Sequence, residues 1–166
     1  VERLADDSEG WITGILLSTQ GLSEGMHVGL NQIKPEGPVY DYLAEQVFEK
    51  QPLSLREFLL ASSTIAEMNE TVCREALGLA DIDDAFREIE QRSIFITTVV
   101  DEKSGIGYRY HHLFRDFLQK HLRTEQPALF GQLHGRAADW FEAKEQWEIA
   151  VAHRLSAGDH LAAART

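Results

Sequence analysis

A β-hairpin set between helical stretches is the feature that most constrains the fold of this chain. The run IFITTVV (94–100) is β-branched and aromatic, DEKSG supplies turn-forming residues, and IGYRY (106–110) returns the chain. The pattern predicts two antiparallel strands. Because an isolated two-stranded hairpin is marginally stable in water, we expect it to pack against the helices on either side.

Helical patterns occupy the region before the hairpin. The first of them ends at Pro52 and carries a stripe of large apolar residues, namely Leu43, Val47 and Phe48. Ser54 and Glu57 match the S-x-x-E capping box, which predicts that the next helix begins there. In that helix one face is shared by Leu55, Phe58, Leu59 and Ser62. Asn69 is placed to cap a short helix that ends at Gly78.

The helix immediately before the hairpin is predicted over 81–92. Its apolar stripe, spaced i, i+3, i+4 and i+7, is Ile82, Ala85, Phe86 and Ile89. Its formal charge is −3, because it carries five carboxylates and only two basic residues, Arg87 and Arg92. In DNA-binding winged helices this helix enters the major groove, where it needs basic and amide side chains. The whole chain has a net charge of −11, so we expect no direct DNA contact.

Helices are predicted again after the hairpin. One apolar stripe is formed by Leu113, Phe114, Phe117, Leu118 and Leu122, and a second one, after Pro127, by Phe130, Leu133, Ala137, Trp140 and Phe141. The helix QWEIAVAHRLSAG ends at Gly158, and Asp159 is placed to cap a last one. The alanine-rich pair in the last 40 residues resembles an antiparallel tetratricopeptide-like unit. Helices, hairpin and helix in this order predict a mainly α chain with a winged-helix domain.

The side chains that could bind a metal or take part in catalysis leave several interpretations open. His111 and His112 follow the second strand, and they are interpreted as capping or packing residues, as a phosphate sensor, or as part of a metal or catalytic site. His112 and Asp116 are spaced i, i+4, but two ligands fall short of the three or four that zinc requires. Cys73 is expected to be a small buried residue, because no partner base lies near it in the sequence. We therefore predict no metal site and no catalytic residue.

Four separated stretches together resemble one family. They are EGWITGILL (9–17), LREFLLASSTIAEMNETVCREAL (55–77), IEQRSIFITTVVDEKSGIGYRYHHLFRDFLQKHL (89–122) and LHGRAADWFEAKEQWEIAVAHRLSAGD (133–159). They look like the middle of the large ATP-dependent LuxR-family transcriptional activators, typified by the maltose-regulon activator, which belong to the STAND signal-transduction ATPases. The resemblance implies a lid helix and linker over 1–38, a winged-helix domain over 39–124 and the start of a superhelical arm over 125–166.

The resemblance also implies roles for particular residues. His111 matches the winged-helix histidine that touches the β-phosphate of ADP in related proteins. Trp11 and Ile12 fall where a lid motif contacts adenine, although Ile12 stands where that motif has proline. The bound cofactor would be ADP or ATP, held by a P-loop domain. No G-x-x-x-x-G-K-[ST] motif occurs in this sequence, so we expect no cofactor and no ATPase activity in this piece alone.

The resulting hypothesis is a cytoplasmic regulatory piece of a nucleotide-switched transcription activator. Its expected partners are the P-loop ATPase domain of the same chain and an inducer or regulatory protein that binds the arm. Self-association through exposed apolar surface is also expected, and no membrane contact, since no apolar run approaches 18 residues. The alternatives are an interaction scaffold that never meets nucleotide and, third, a histidine-dependent metal hydrolase.

Overall fold

The computed structural model describes residues 43–80, 82–92, 95–101 and 105–166. Trp11, Ile12 and the lid helix and linker predicted over 1–38 lie outside these residues, so the predictions made for them remain predictions. The chain divides into two compact units, 1–50 and 51–166. In the first unit, the described helix is a π-helical segment, Leu43–Phe48, in which the predicted stripe of three apolar residues is buried.

The second unit begins with helices that precede the hairpin. Helix α1 is Leu53–Ser62, a π-helical segment is Val72–Ala76, and helix α2 is Ile82–Arg92. The predicted capping box is wrong, because α1 begins before Ser54. Pro52 occupies the N-cap position without a side-chain hydrogen bond, and Ser54 already lies in the first turn. The Asn69 cap is confirmed: its Oδ1 accepts from the N–H of Val72 at 2.9 Å.

The hairpin consists of β1, Ile96–Asp101, and β2, Gly105–Tyr110, paired antiparallel with Ile96 opposite Tyr110. The predicted first strand started at residue 94, whereas β1 starts later because Phe95 has a φ of 46°, outside the extended region. Met68 adds a bridge on the other edge of β2, since its N–H and C=O both pair with Tyr108 at 2.8 Å. The hairpin is therefore anchored to the segment that follows α1.

Four helices follow the hairpin. They are α3, His112–Glu125; α4, Pro127–Ala143; α5, Trp147–Ser156; and α6, His160–Ala163. A short connection with Glu145 at a φ of 60° reverses the chain between α4 and α5, which pack antiparallel. Asp159 caps α6 as predicted, its Oδ1 accepting from the N–H of Ala162 at 2.9 Å.

The core of the second unit joins the helices on both sides of the hairpin. Its largest fully buried side chains include Leu55, Leu59, Ile82, Ile89, Phe114, Phe117 and Leu118. The predicted apolar face of α1 is confirmed, and Ser62 on that face is 0% exposed. The prediction of a mainly α chain with a hairpin is confirmed for the described residues, in which the hairpin lies between α2 and α3 in chain order and α4 to α6 follow.

Candidate functional site

His111 lies at the junction of β2 and α3, where it is the N-cap residue of the helix. Its Nδ1 accepts a hydrogen bond from the N–H of Leu113 at 3.3 Å. Its own backbone N–H donates to the carbonyl of Phe95 at 2.7 Å, and its carbonyl accepts from the N–H of Arg115 at 3.0 Å. Because Nδ1 is an acceptor, the neutral ring carries its proton on Nε2, which is a hydrogen-bond donor.

Aromatic side chains surround this junction. The rings of His111 and His112 are stacked with centroids 4.4 Å apart, and Tyr110 meets Phe114 edge to face at 5.8 Å. The hydroxyl of Tyr110 lies 2.8 Å from Oγ of Ser62, so α1 and the end of β2 share a buried hydrogen bond. Burial raises the pKa of Tyr110, which stays a neutral phenol. His111 itself is only 7% exposed.

The other candidates for metal or nucleophilic chemistry can be placed as well. Asp116 is exposed on α3, while His112 is half-buried against His111, and the described residues contain no group of three or more metal-ligating side chains. Cys73 is fully buried, as predicted. Burial raises the pKa of its thiol to about 12, so no reactive thiolate forms near neutral pH.

A second histidine pair, which the sequence analysis did not single out, lies between α4 and α5. Nδ1 of His134 and Nδ1 of His153 are 2.9 Å apart, so one ring donates and the other accepts. The two residues are 4% and 7% exposed and pack against Phe130 and Phe141, respectively. Burial first, and then the nearby positive charge of Arg115, lowers the pKa of His134 to about 4. His153 has its pKa lowered to about 4 by burial, His134 and Arg115.

A cavity of about 1010 Å³ opens beside this pair. Its lining comes from the segment after α1, from α3, and from α4 and α5. Arg115 reaches across from α3, and its Nε donates to the carbonyl of Ser63 at 3.0 Å. Gln119 donates to the same carbonyl at 2.7 Å. The cavity therefore lies where the helices around the hairpin meet the α4–α5 pair.

The sequence did contain a signal for this second pair. His134 follows Phe130 by four residues and precedes Ala137 and Phe141 by three and seven, so it lies on the apolar stripe of α4. A polar side chain on a buried stripe requires a partner. The partner on α5 could not be identified from sequence, because the register between two helices is fixed only by their packing.

Among the described residues no helix is long and apolar enough to cross a membrane.

A protein-family model described as the MalT winged helix domain matches residues 44–130, which is more than half of the 166-residue chain. The match covers α1 to α3, the hairpin and His111, and together with the observed helices it confirms the predicted winged helix followed by helices. The chain therefore belongs to the family of the MalT winged helix domain, which is found in MalT-type transcription regulators.

Proposed function

We propose that the chain is a regulatory segment of a MalT-type, LuxR-family STAND activator, in which the winged helix closes over ADP or ATP held by a P-loop domain outside these residues. His111 contacts the β-phosphate and favours the closed, resting state. An inducer or regulatory protein acting on the arm that α4 and α5 begin would release this contact. The segment regulates and does not itself catalyse.

The N-cap geometry of His111 is the observation that carries the proposal. The hydrogen bond from the N–H of Leu113 to Nδ1 fixes the orientation of the ring and places the proton of the neutral form on Nε2. The amide groups in the first turn of α3 add a favourable field for an anion. A fixed N–H donor at a helix N-terminus matches the chemistry of a phosphate oxygen.

The limited exposure of His111 adds a structural requirement. At 7% exposure, the pyrophosphate must approach one edge of the ring, or the neighbouring side chains must move. One hydrogen bond to a charged group contributes roughly 1.5–3 kcal/mol, whereas shifting a two-state equilibrium from one extreme to the other needs about 5.5 kcal/mol. The histidine therefore acts together with other contacts to the nucleotide.

Helix α2 supports a regulatory rather than a DNA-reading role for this winged helix. Arg87 is paired with Asp84 at 2.8 Å, and Arg92 with Glu88 at 3.3 Å, on the same helix. The two basic side chains of α2 are thus already engaged by carboxylates. Phosphate contact by this helix would require breaking those pairs near a net negative surface.

Two substitutions at one position separate phosphate contact from helix capping. Asparagine is a strong N-cap residue, so His111→Asn keeps the cap but removes the ring, whereas His111→Ala removes both. In the regulator with its P-loop domain, we expect both variants to release ADP about tenfold faster or more. Both variants lose the packing of the buried ring, and the alanine variant should be about 1 kcal/mol less stable than the asparagine variant because it also loses the cap. ADP release at the wild-type rate in the asparagine variant would reject the sensor role.

An interaction scaffold is the second candidate function, and exposed apolar side chains on α5 and α6 favour it. Trp147, Ile149, Leu155 and Leu161 are between 43% and 76% exposed. Calorimetry with the P-loop domain, with and without ADP, separates the two functions. Docking that is independent of nucleotide would favour the scaffold, and docking that requires ADP would favour the switch.

A further inference from the structure

The cavity between the winged-helix part and the α4–α5 pair combines apolar walls with basic side chains. Trp140, Phe141 and Ile149 provide aromatic and aliphatic surface. The indole of Trp140 is held by a hydrogen bond from Nε1 to Glu75 at 3.0 Å. A volume of about 1010 Å³ matches the upper end of cavities that bind small molecules. The walls are thus suited to the apolar body of an organic molecule.

The charges in the lining are unevenly compensated. Arg115 donates to the backbone carbonyls of Ser63 and Thr64, and makes no ion pair with any carboxylate in the described part of the chain. Lys144 lies 5.3 Å from the ring centre of Trp140 and is likewise without an ion pair there. Of the lining carboxylates, Glu67 is already bound to Arg109, and Glu148 is exposed.

A buried polar atom lies in the same wall. Nε2 of His134 has no hydrogen-bond partner among the residues that the structure describes, although the residue is only 4% exposed. Buried polar groups are normally hydrogen-bonded, and such an exception calls for an explanation. The Nδ1 contact with His153 allows either tautomer, so His134 can present Nε2 as donor or acceptor. An anion would favour the tautomer with the proton on Nε2.

We propose that this cavity binds a small organic anion, a carboxylate with an aromatic or aliphatic body, whose charge is met by Arg115 and Lys144. The apolar body would lie against Trp140, Phe141 and Ile149. Such a ligand would contact the winged-helix part and the α4–α5 pair at once. The inference does not depend on nucleotide contact at His111, so the two can fail separately.

Two probes with the same apolar body test the charge requirement. Naphthylacetate carries the carboxylate, and naphthylacetamide is its neutral counterpart. By calorimetry on the whole chain, we expect naphthylacetate to bind at one site with a Kd of about 1 mM or lower, and the amide about tenfold more weakly or worse. In NMR spectra the indole N–H signal of Trp140 should shift with the same affinity.

Matched variants locate the site. Ala152 lines the cavity and is exposed, so Ala152→Phe should fill the cavity and abolish binding without disturbing the core. Ala128 is exposed on α4 outside the lining, and Ala128→Phe should bind as the wild type does. Lys144→Gln should reduce the preference for naphthylacetate over naphthylacetamide by about threefold or more. Arg123→Gln, an exposed control on α3, should leave this preference unchanged.

Arg115→Gln should abolish the preference for the anion, with thermal unfolding measured alongside because Arg115 also binds the chain after α1. If that variant does not fold, Lys144→Gln carries the charge test. Equal affinity for the acid and the amide would overturn the proposal. So would unchanged binding in Ala152→Phe, or the absence of binding up to about 10 mM.

Discussion

Acidification should destabilise this protein through the buried pair His134 and His153. Both pKa values lie at about 4 in the folded chain, below the usual 6.5, because burial and Arg115 disfavour the charged rings. The unfolded chain therefore binds protons more readily. The neutral pair contributes its full stability above about pH 6.5, and this contribution is lost as the pH falls toward about 4.

The size of this loss follows from the two pKa values. Between about pH 7.5 and about pH 5, a group whose pKa falls from 6.5 to about 4 on folding costs about 2 kcal/mol. The two rings share a hydrogen bond, and a proton on one disfavours a proton on the other, so the folded pair stays mostly neutral at about pH 5 and the two losses together reach about 4 kcal/mol. That is a large part of the roughly 5–15 kcal/mol that stabilises a typical domain.

Urea unfolding followed by tryptophan fluorescence measures the effect at both pH values. His153→Asn keeps a polar atom near the position of Nδ1 but cannot become charged, so the difference in unfolding free energy between the two pH values should shrink by about 2 kcal/mol. His160→Asn, at an exposed histidine on α6, is the matched control and should keep the wild-type difference. An unchanged difference in His153→Asn would show that this ring does not titrate as the structure requires.

Three further predictions concern buried groups and a helix cap. Tyr110→Phe should cost about 1 kcal/mol in urea unfolding, because Ser62 loses one partner but keeps its bond to a backbone carbonyl; a double-mutant cycle with Ser62→Ala should show coupling between the two. The thiol of Cys73 should resist iodoacetamide at about pH 8 in the native protein and react in urea, and rapid native labelling would contradict its burial. Asn69→Ala should lower the unfolding free energy by about 1 kcal/mol, whereas Asn69→Asp should retain most of it.

Much of the secondary structure could be predicted from local patterns. The hairpin was predicted from β-branched and aromatic residues on either side of a turn. The helix caps Asn69 and Asp159 were predicted from their side-chain types and their positions before helical stretches. The capping box at Ser54 was wrong because Pro52 starts the helix earlier. Pro52 is the N-cap residue with a ψ of 151°, so the helix begins at Leu53 and Ser54 already lies inside its first turn.

The contacts within the candidate site could not be predicted in the same way. His111 was selected by its match to a family pattern, but its role as the N-cap of α3 depends on the backbone angle at which β2 meets the helix. The pair His134 and His153 depends on how α4 and α5 align, and the Met68 bridge on where the chain returns after α1. Such contacts join residues far apart in sequence, and local patterns carry no information about them.

Because of the Met68 bridge, the tip of the hairpin and the segment after α1 differ in their tolerance of extra residues. At the tip, Val100 and Ile106 are 79% and 61% exposed, so a longer turn there adds little beyond the slowly growing entropy of loop closure. Between Ile65 and Asn69, a single inserted residue would move Met68 out of register with Tyr108 and turn its buried side chain toward solvent. Length variation among related proteins should therefore collect at the tip and be rare in the segment after α1.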